Sequence, residues 1–170
     1  MFIQKEFDEN DVRAKTKLRA LLMSHPKYSS CILEEPADPF TVDFYVKNKK
    51  GVHVANIEVE VKKTWKGSDF KFNDIQLLPR KKKFWTEERY HRGKPTMFVM
   101  FNIDLTKHLV ILSDKMEDIF SKNNTRHYGT EKTRDDAFYV AKKSDVKFGY
   151  FDAPVPTQLS QHDEQSIELL

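Results

Sequence analysis

The residues with the clearest capacity for chemistry are Glu58, Glu60 and Lys62, in the stretch Val54-Ala55-Asn56-Ile57-Glu58-Val59-Glu60-Val61-Lys62-Lys63. From Ile57 to Lys62 the order is apolar, acid, apolar, acid, apolar, base. Period two marks a strand with one buried face. Ile57, Val59 and Val61 then form a core face, and Glu58, Glu60 and Lys62 stand in a row on the other. Two carboxylates on one strand face lie about 7 Å apart, where like charges repel unless a cation intervenes. A lysine next in line, or a bound metal ion, relieves that repulsion. Glu and Lys are poor strand formers, so the pattern is unusual for a strand. The plain alternative is a solvated face whose charges blunt a sheet edge.

Asp43 favours the cation site. Thr41 to Lys47 alternates, with Thr41, Asp43 and Tyr45 on one face and Val42, Phe44 and Val46 on the other. Asn48-Lys49-Lys50-Gly51 reads as a hairpin turn, its glycine free to take positive φ. The chain returns through Val52 to Lys63, so the two strands are predicted to pair antiparallel. That pairing is expected to set Asp43 against Glu60 with Lys62 adjacent. Converging carboxylates suit Mg²⁺, a hard cation that prefers oxygen ligands and keeps several waters; Mn²⁺ is its natural substitute. Glu58 is either a third ligand or an exposed neighbour. A metal-bound water beside a lysine can attack a phosphodiester, the metal stabilising the charge that develops on the phosphate.

The elements that must hold these residues read as follows. Asp8 to Ser24 is predicted helical, capped by Asp8 or Asn10, with Val12, Leu18, Leu21 and Leu22 as its apolar stripe and His25-Pro26 as its end. A connection with short extended pieces near Cys31-Ile32-Leu33 leads to Glu35-Pro36-Ala37-Asp38-Pro39, which breaks regular structure. After the charged strand come a polar loop with Gly67, a short turn over Asp74–Leu77, and a helix from Pro79 to about His91. Thr96 to Asn102 is a nearly continuous apolar run, the pattern of a buried central strand, and His108 to Ser113 pairs with it. Asp114 to Ser121 is expected to be a short helix, Ser121 to Asp135 a loop, and Ala137–Ala141 and Val146–Phe151 two short strands. The fold class is therefore α/β (α+β), a central mixed β-sheet flanked by helices, in the order α-β-β-α-β-β-α. Residues 1–153 are expected to form one domain, and 154–170 a disordered tail.

Composition narrows the partners. The 170 residues carry a net charge of only +3, unevenly spread. Arg80 to Lys94 holds seven Lys/Arg against two Glu, whereas Pro154 to Leu170 has three acids and no Lys or Arg. A local basic patch is the footprint of an anionic partner such as nucleic acid. Arg80, Lys81, Lys82 and Lys83, with Lys63, Lys66 and Lys71 on the loop after the strand, are the expected phosphate contacts, and Phe84 and Trp85 are assigned to packing. One cysteine, Cys31, excludes an intramolecular disulfide and a cysteine-based zinc cluster. The six histidines show no metal-ligand spacing, and His53, on the hairpin, is assigned a surface role. No apolar run approaches a membrane span and the N-terminus lacks a signal-peptide pattern, so a cytoplasmic protein is expected.

Asp43, followed by Glu60-Val61-Lys62 at the end of an antiparallel hairpin, resembles the PD-(D/E)xK phosphodiesterase superfamily of restriction-type endonucleases, junction resolvases and recombination exonucleases. The family core is helix, three antiparallel strands, helix, strand, and the order is similar here from about Asp8 to Ser113. The resemblance implies a restriction-endonuclease-like core, a Mg²⁺-dependent deoxyribonuclease activity, metal ligation by Asp43 and Glu60, and a catalytic role for Lys62. Many members carry a supporting glutamine after the (D/E)xK strand, and Gln76 stands at a comparable place; an acid from the first helix, Glu6 or Glu9, sometimes completes such sites. The position before Asp43 departs from the pattern, being Val42 rather than proline. A small domain without a specificity module points to structure-selective, resolvase-like cleavage, for which a homodimer would supply two sites. The competing class is a nucleic-acid-binding or structural accessory protein that keeps the fold without turnover.

Overall fold

The alternation of Ile57 to Lys62 does produce a strand, and that strand is the middle of the molecule. A computed structural model describes the backbone of residues 4–115, 117–128 and 132–149, and the side chains of 9–78, 80–115 and 139–149. The first helix, α1 (Gln4–Ser24), leads into β1 (Ile32–Glu34), β2 (Phe44–Lys47) and β3 (His53–Lys62). β1 pairs antiparallel with β2, and β2 with β3 in the register Phe44↔Ile57 and Val46↔Ala55. Asn48 locks the hairpin turn, its Oδ1 accepting from the amides of Lys50 at 2.9 Å and Val52 at 3.0 Å. Gly51 takes φ +81 there, a conformation that penalises a Cβ.

From β3 the chain crosses over to a parallel neighbour, which requires a long connection. That connection holds β4 (Asp74–Leu77), a 3₁₀ turn (Pro79–Lys82), α2 (Lys83–Thr86) and α3 (Glu88–His91). It delivers β5 (Thr96–Asn102), parallel to β3 with Val59 beside Val99. β6 (His108–Leu112) is antiparallel to β5, followed by a 3₁₀ turn (Ser113–Lys115), β7 (Glu117–Tyr128), β8 (Lys132–Lys142), a further 3₁₀ turn (Lys143–Asp145) and β9 (Lys147–Phe148). The main sheet runs β1-β2-β3-β5-β6-β9, and a second sheet runs β4-β8-β7. The architecture is mixed α/β with a mixed six-stranded sheet and few helices.

The strand alternation sorts the apolar residues into two cores, one on each face of the main sheet. Ala14, Leu18 and Leu22 of α1, spaced four apart, pack with Phe44, Val46, Ile57, Val59, Met97, Val99 and Phe101. On the other face Phe98, Met100, Leu109 and Ile111 pack with Ile75 and Leu77 of β4 and with Tyr139 and Ala141 of β8. β5 is covered on both faces, which is why its sequence is apolar from Met97 to Phe101.

Several expectations need correction. The helix stripe is Ala14-Leu18-Leu22, while Val12 is 63% exposed. Val42 packs with Tyr45 in the second core, because residues 41–43 precede β2 and do not alternate with it. Asp74–Leu77 is a strand, not a turn, and the expected helix Pro79–His91 is broken into three short pieces. Asp114–Ser121 is not a helix: after Ser113–Lys115 the chain enters β7, and the expected loop Ser121–Asp135 falls in the β7–β8 hairpin. The observed order thus holds more strands than α-β-β-α-β-β-α. Phe84 is buried in the second core and Trp85 packs against it, as their assignment to packing requires; Trp65 is buried there as well. Cys31 is half-buried against the first core, and burial raises its thiol pKa. Residues 154–170, expected to be a tail, lie outside the described residues. No helix among the described residues is long and apolar enough to cross a membrane.

The first core contains a titratable group. His108 on β6 is buried opposite Phe101, and burial, with the positive charge of Lys17, lowers its pKa to about 4. Between about 4 and 6.5 the unfolded chain therefore binds a proton that the folded chain refuses. Stability must fall as pH drops through 6.5, by up to roughly 3 kcal/mol at pH 4. Urea unfolding across pH 4.5–7.5 should show a shallower decline for His108→Gln than for the wild type; parallel profiles would refute the assignment.

Candidate functional site

On β3 the residues facing the second sheet are Asn56, Glu58, Glu60 and Lys62, whereas the adjacent positions of β5 and β6 are Phe98, Met100, Leu109 and Ile111. The second sheet covers the apolar part. The polar row of β3 is left along a cleft of about 560 Å³, whose lining includes Asp43, Glu58, Glu60, Lys62, Gln76 and Lys81. The polar end of the row is fixed first. Asn56 is fully buried; its Nδ2 donates to the carbonyls of His91 at 3.0 Å and Lys94 at 3.2 Å, and its Oδ1 lies 2.9 Å from His53 Nε2. Thr96 donates to the Phe84 carbonyl at 2.6 Å. These bonds tie the crossover to the strand that carries the acids. His53 is thus half-buried and structural, not superficial, and burial lowers its pKa.

Asp43 does not extend the ladder to Glu60. It lies one residue before β2, and its Oδ2 accepts from the Val59 amide at 2.8 Å, between Glu58 and Glu60. Its Oδ1 accepts an ion-pair contact from Lys15 at 2.8 Å, and Lys15 also reaches Asp11 at 2.9 Å. Burial alone would lower the Lys15 pKa, but Asp43 and Asp11 raise it overall. Asp11, Lys15 and Asn10 therefore bring α1 to the cleft. The acid expected from this helix is Asp11, not Glu9, which is exposed outside the cleft; the side chain of Glu6 lies outside the described residues. The i, i+4 spacing of Asp11 and Lys15 does not mark them in the sequence, because solvated helix faces carry the same pairs.

Glu58 is the most enclosed of the acids, 6% exposed, and Lys81 is nearly as buried. Glu58 Oε1 is ion-paired with Lys81, while its Oε2 is buried without a hydrogen-bond partner. Burial pushes the Glu58 carboxyl up to about 8, with Lys81 pulling it down and Asp43 adding to the rise. Burial by itself would lower Lys81, yet Glu58, Glu60 and Asp43 together raise it. The Lys81 ammonium thus stands where the fields of three carboxylates add.

The basic run divides. Arg80, Lys81 and Lys83 line the cleft, as does Lys63, whereas Lys66 and Lys71 are exposed outside it. Lys82 points elsewhere, its Nζ 5.4 Å from the Tyr139 ring centroid. Lys62 Nζ lies 5.8 Å from the ring centroid of Phe72, within cation–π range. Gln76 lies on β4 rather than a helix; alternation puts Ile75 and Leu77 in the core and Gln76 on the cleft side.

The donor set has the chemistry of a Mg²⁺ site: carboxylate oxygens, one of them buried without a partner. Lysines hold two of those carboxylates, and among the described residues no three His, Cys, Asp or Glu side chains are grouped so as to hold a metal ion. Metal ligation by Asp43 and Glu58 thus requires Lys15 and Lys81 to let go of them. The chain matches no protein-family model, no curated protein and no solved structure.

Removing one partner of a buried pair leaves an uncompensated charge. Lys81→Ala should destabilise the fold by about 3 kcal/mol at pH 8.5, and Glu58→Gln added to Lys81→Met should recover most of that. A carboxyl whose folded pKa is raised contributes stability below its unfolded pKa and loses it as pH rises through the folded value. The Lys81→Ala penalty should therefore shrink towards pH 5. Chemical denaturation at the two pH values reads this directly; an equal penalty at both would refute the coupling.

Proposed function

We propose that this chain is a metal-dependent nuclease that hydrolyses phosphodiester bonds of DNA, with a restriction-endonuclease-like core of the PD-(D/E)xK type. One observation carries the reading: Asp43, Glu58, Glu60 and Lys62 line a single cleft, with Asp43 tied to the backbone amide between the two glutamates. Support also comes from the sheet, in which three antiparallel strands and, after a crossover of one strand and short helical turns, a parallel strand follow α1. Asp43, Glu60 and Glu58 would hold Mg²⁺, or Mn²⁺ in its place. The ion, when bound, supplies a water of lowered pKa and stabilises charge on the phosphate. Lys62 would orient the attacking water and offset the charge that develops on the phosphate. Gln76, on the facing strand, supports the site. Lys63, Arg80 and Lys83 meet the phosphate backbone within the cleft, with Lys66 and Lys82 farther out; Lys81 serves the acids instead. Cleavage would leave 5′-phosphate and 3′-hydroxyl ends. Branched DNA is the proposed substrate, cut by a homodimer acting inside the cell.

The lysine-neutralised carboxylates favour a second reading, in which the fold binds nucleic acid without turnover. Lys15 on Asp43 and Lys81 on Glu58 give two of the three acids a cation without a metal.

Purified protein incubated with supercoiled plasmid and with a four-way DNA junction separates the two. Cleavage is expected with Mg²⁺, absent with EDTA, and reduced at least ~100-fold in Lys62→Ala, the scale of a lost charge-stabilising donor. Cleavage that survives EDTA or Lys62→Ala would overturn the metal nuclease; binding without cleavage would select the accessory role. Mg²⁺ should also raise the melting temperature of the wild type and not of Glu60→Ala, since an ion held by the folded state stabilises it.

A further inference from the structure

The cleft has a feature that hydrolysis does not use. Phe40 is 73% exposed at the cleft lining, and it is not on a loose segment. The Asp38-Pro39-Phe40-Thr41 turn closes with Thr41 N donating to the Asp38 carbonyl at 3.4 Å. Asp38 Oδ1 accepts from the Phe40 amide at 2.9 Å, the Asx geometry that fixes such turns. Pro39 restricts the backbone just before the ring. On the far side, Lys83 Nζ donates to the Phe40 carbonyl at 2.6 Å, anchoring the turn to the basic segment. A large apolar ring held out in water on a pinned turn forgoes the gain of burial.

Phe72, outside the residues that line the cleft, is a second aromatic next to Lys62. It is 36% exposed, stacks edge-on with Phe70 at 5.1 Å, and faces the Lys62 ammonium. Exposed aromatics combined with cations that track a backbone are the two parts of a single-strand binding groove. Size points the same way. About 560 Å³ is the scale of a pocket for a drug-sized molecule, hence of one or two nucleotides, not of a duplex.

We infer that the cleft takes an unpaired nucleic-acid strand, with a base stacked on Phe40 and its phosphate held by Lys83 and Arg80 near the Glu60–Lys62 row. The inference rests on the nucleic-acid reading of the cleft and names its substrate as single-stranded or splayed. Base stacking tolerates any sequence, so the site selects strandedness rather than sequence.

Fluorescence anisotropy tests it on the full chain in EDTA, where cleavage plays no part. The probes are end-labelled dT₁₂, U₁₂ and a blunt 12-base-pair DNA duplex. Tighter binding of dT₁₂ or U₁₂ than of the duplex is expected, with Phe40→Ala weakening single-strand binding about tenfold and Phe40→Trp restoring it. A thermal melt of each variant confirms that the exposed position leaves the fold intact. Equal single-strand binding by Phe40→Ala would overturn the stacking role while leaving the nuclease reading standing. A preference for the duplex would overturn the strand selection. Failure to bind any of the three probes would overturn this inference together with the nucleic-acid reading. Single-strand binding lost in Phe40→Ala, in a protein that cuts nothing with Mg²⁺, would uphold this inference and remove the nuclease.

Discussion

Three carboxylates lie along one side of a buried strand, and that constraint shapes the rest of the structure. Asp43, Glu58 and Glu60 cannot all stay charged in a poorly solvated cleft unless positive charge is brought to them. The chain brings it from two directions. Lys15 comes from α1 to Asp43, and Lys81 comes from the 3₁₀ turn of the crossover to Glu58. Each lysine is therefore also a fastener between sequence-distant elements. The crossover is further held by Asn56, whose buried amide satisfies carbonyls at the end of α3 and before β5. Backbone carbonyls left by short helices need such partners when water is excluded.

The cleft exists because the cover of the main sheet is incomplete. Both faces of β5 are apolar, and helix α1 and the second sheet bury them. β3 is apolar only on its α1 face. Where Phe98 and Met100 invite the cover, Glu58 and Glu60 on the adjacent strand repel it. The parallel register places these residues side by side, so the boundary between dry core and polar cleft runs between two neighbouring strands. A shift of one residue in β3 would exchange the acids with Ile57, Val59 and Val61 and bury them against α1, which holds the register firmly.

How much of this was legible in the sequence follows from where local pattern and tertiary demand agree. β3 alternates strongly and β5 is a continuous apolar run, and both appear where those patterns put them; β2 forms the expected hairpin but starts only at Phe44. β4 was hidden because Asp74-Ile75-Gln76-Leu77 is too short, and Pro79 follows too soon, to distinguish it from a turn. The β7–β8 hairpin was hidden because Glu117 to Tyr128 is rich in polar residues and its pairing with β8 lies outside any local pattern. In the candidate site, Glu58, Glu60, Lys62 and Asp43 were readable from one strand and one turn. Lys15 was not, since an i, i+4 ion pair on a helix usually means a solvated face. Lys81 was misjudged because a run of four cations gives no sign of which one turns inward. Phe40, directly after Pro39, has no periodicity to mark it.

The lysines bear on how the acids could exchange one cation for another. A buried ammonium compensates a carboxylate without satisfying all of its lone pairs, and Glu58 Oε2 is left without a partner. A divalent ion brings twice the charge and accepts several oxygens at once. Replacing Lys81 by such an ion removes an orphaned acceptor but releases a buried lysine, whose exit requires room. The cleft supplies that room, because Lys81 lines it alongside the residues it neutralises. The same geometry that neutralises Asp43 and Glu58 without a metal therefore keeps them at the wall of the cleft. In the proposed nuclease this ties occupation of the metal site to displacement of Lys81 towards the basic wall of the cleft, where Arg80 and Lys83 await the phosphate backbone.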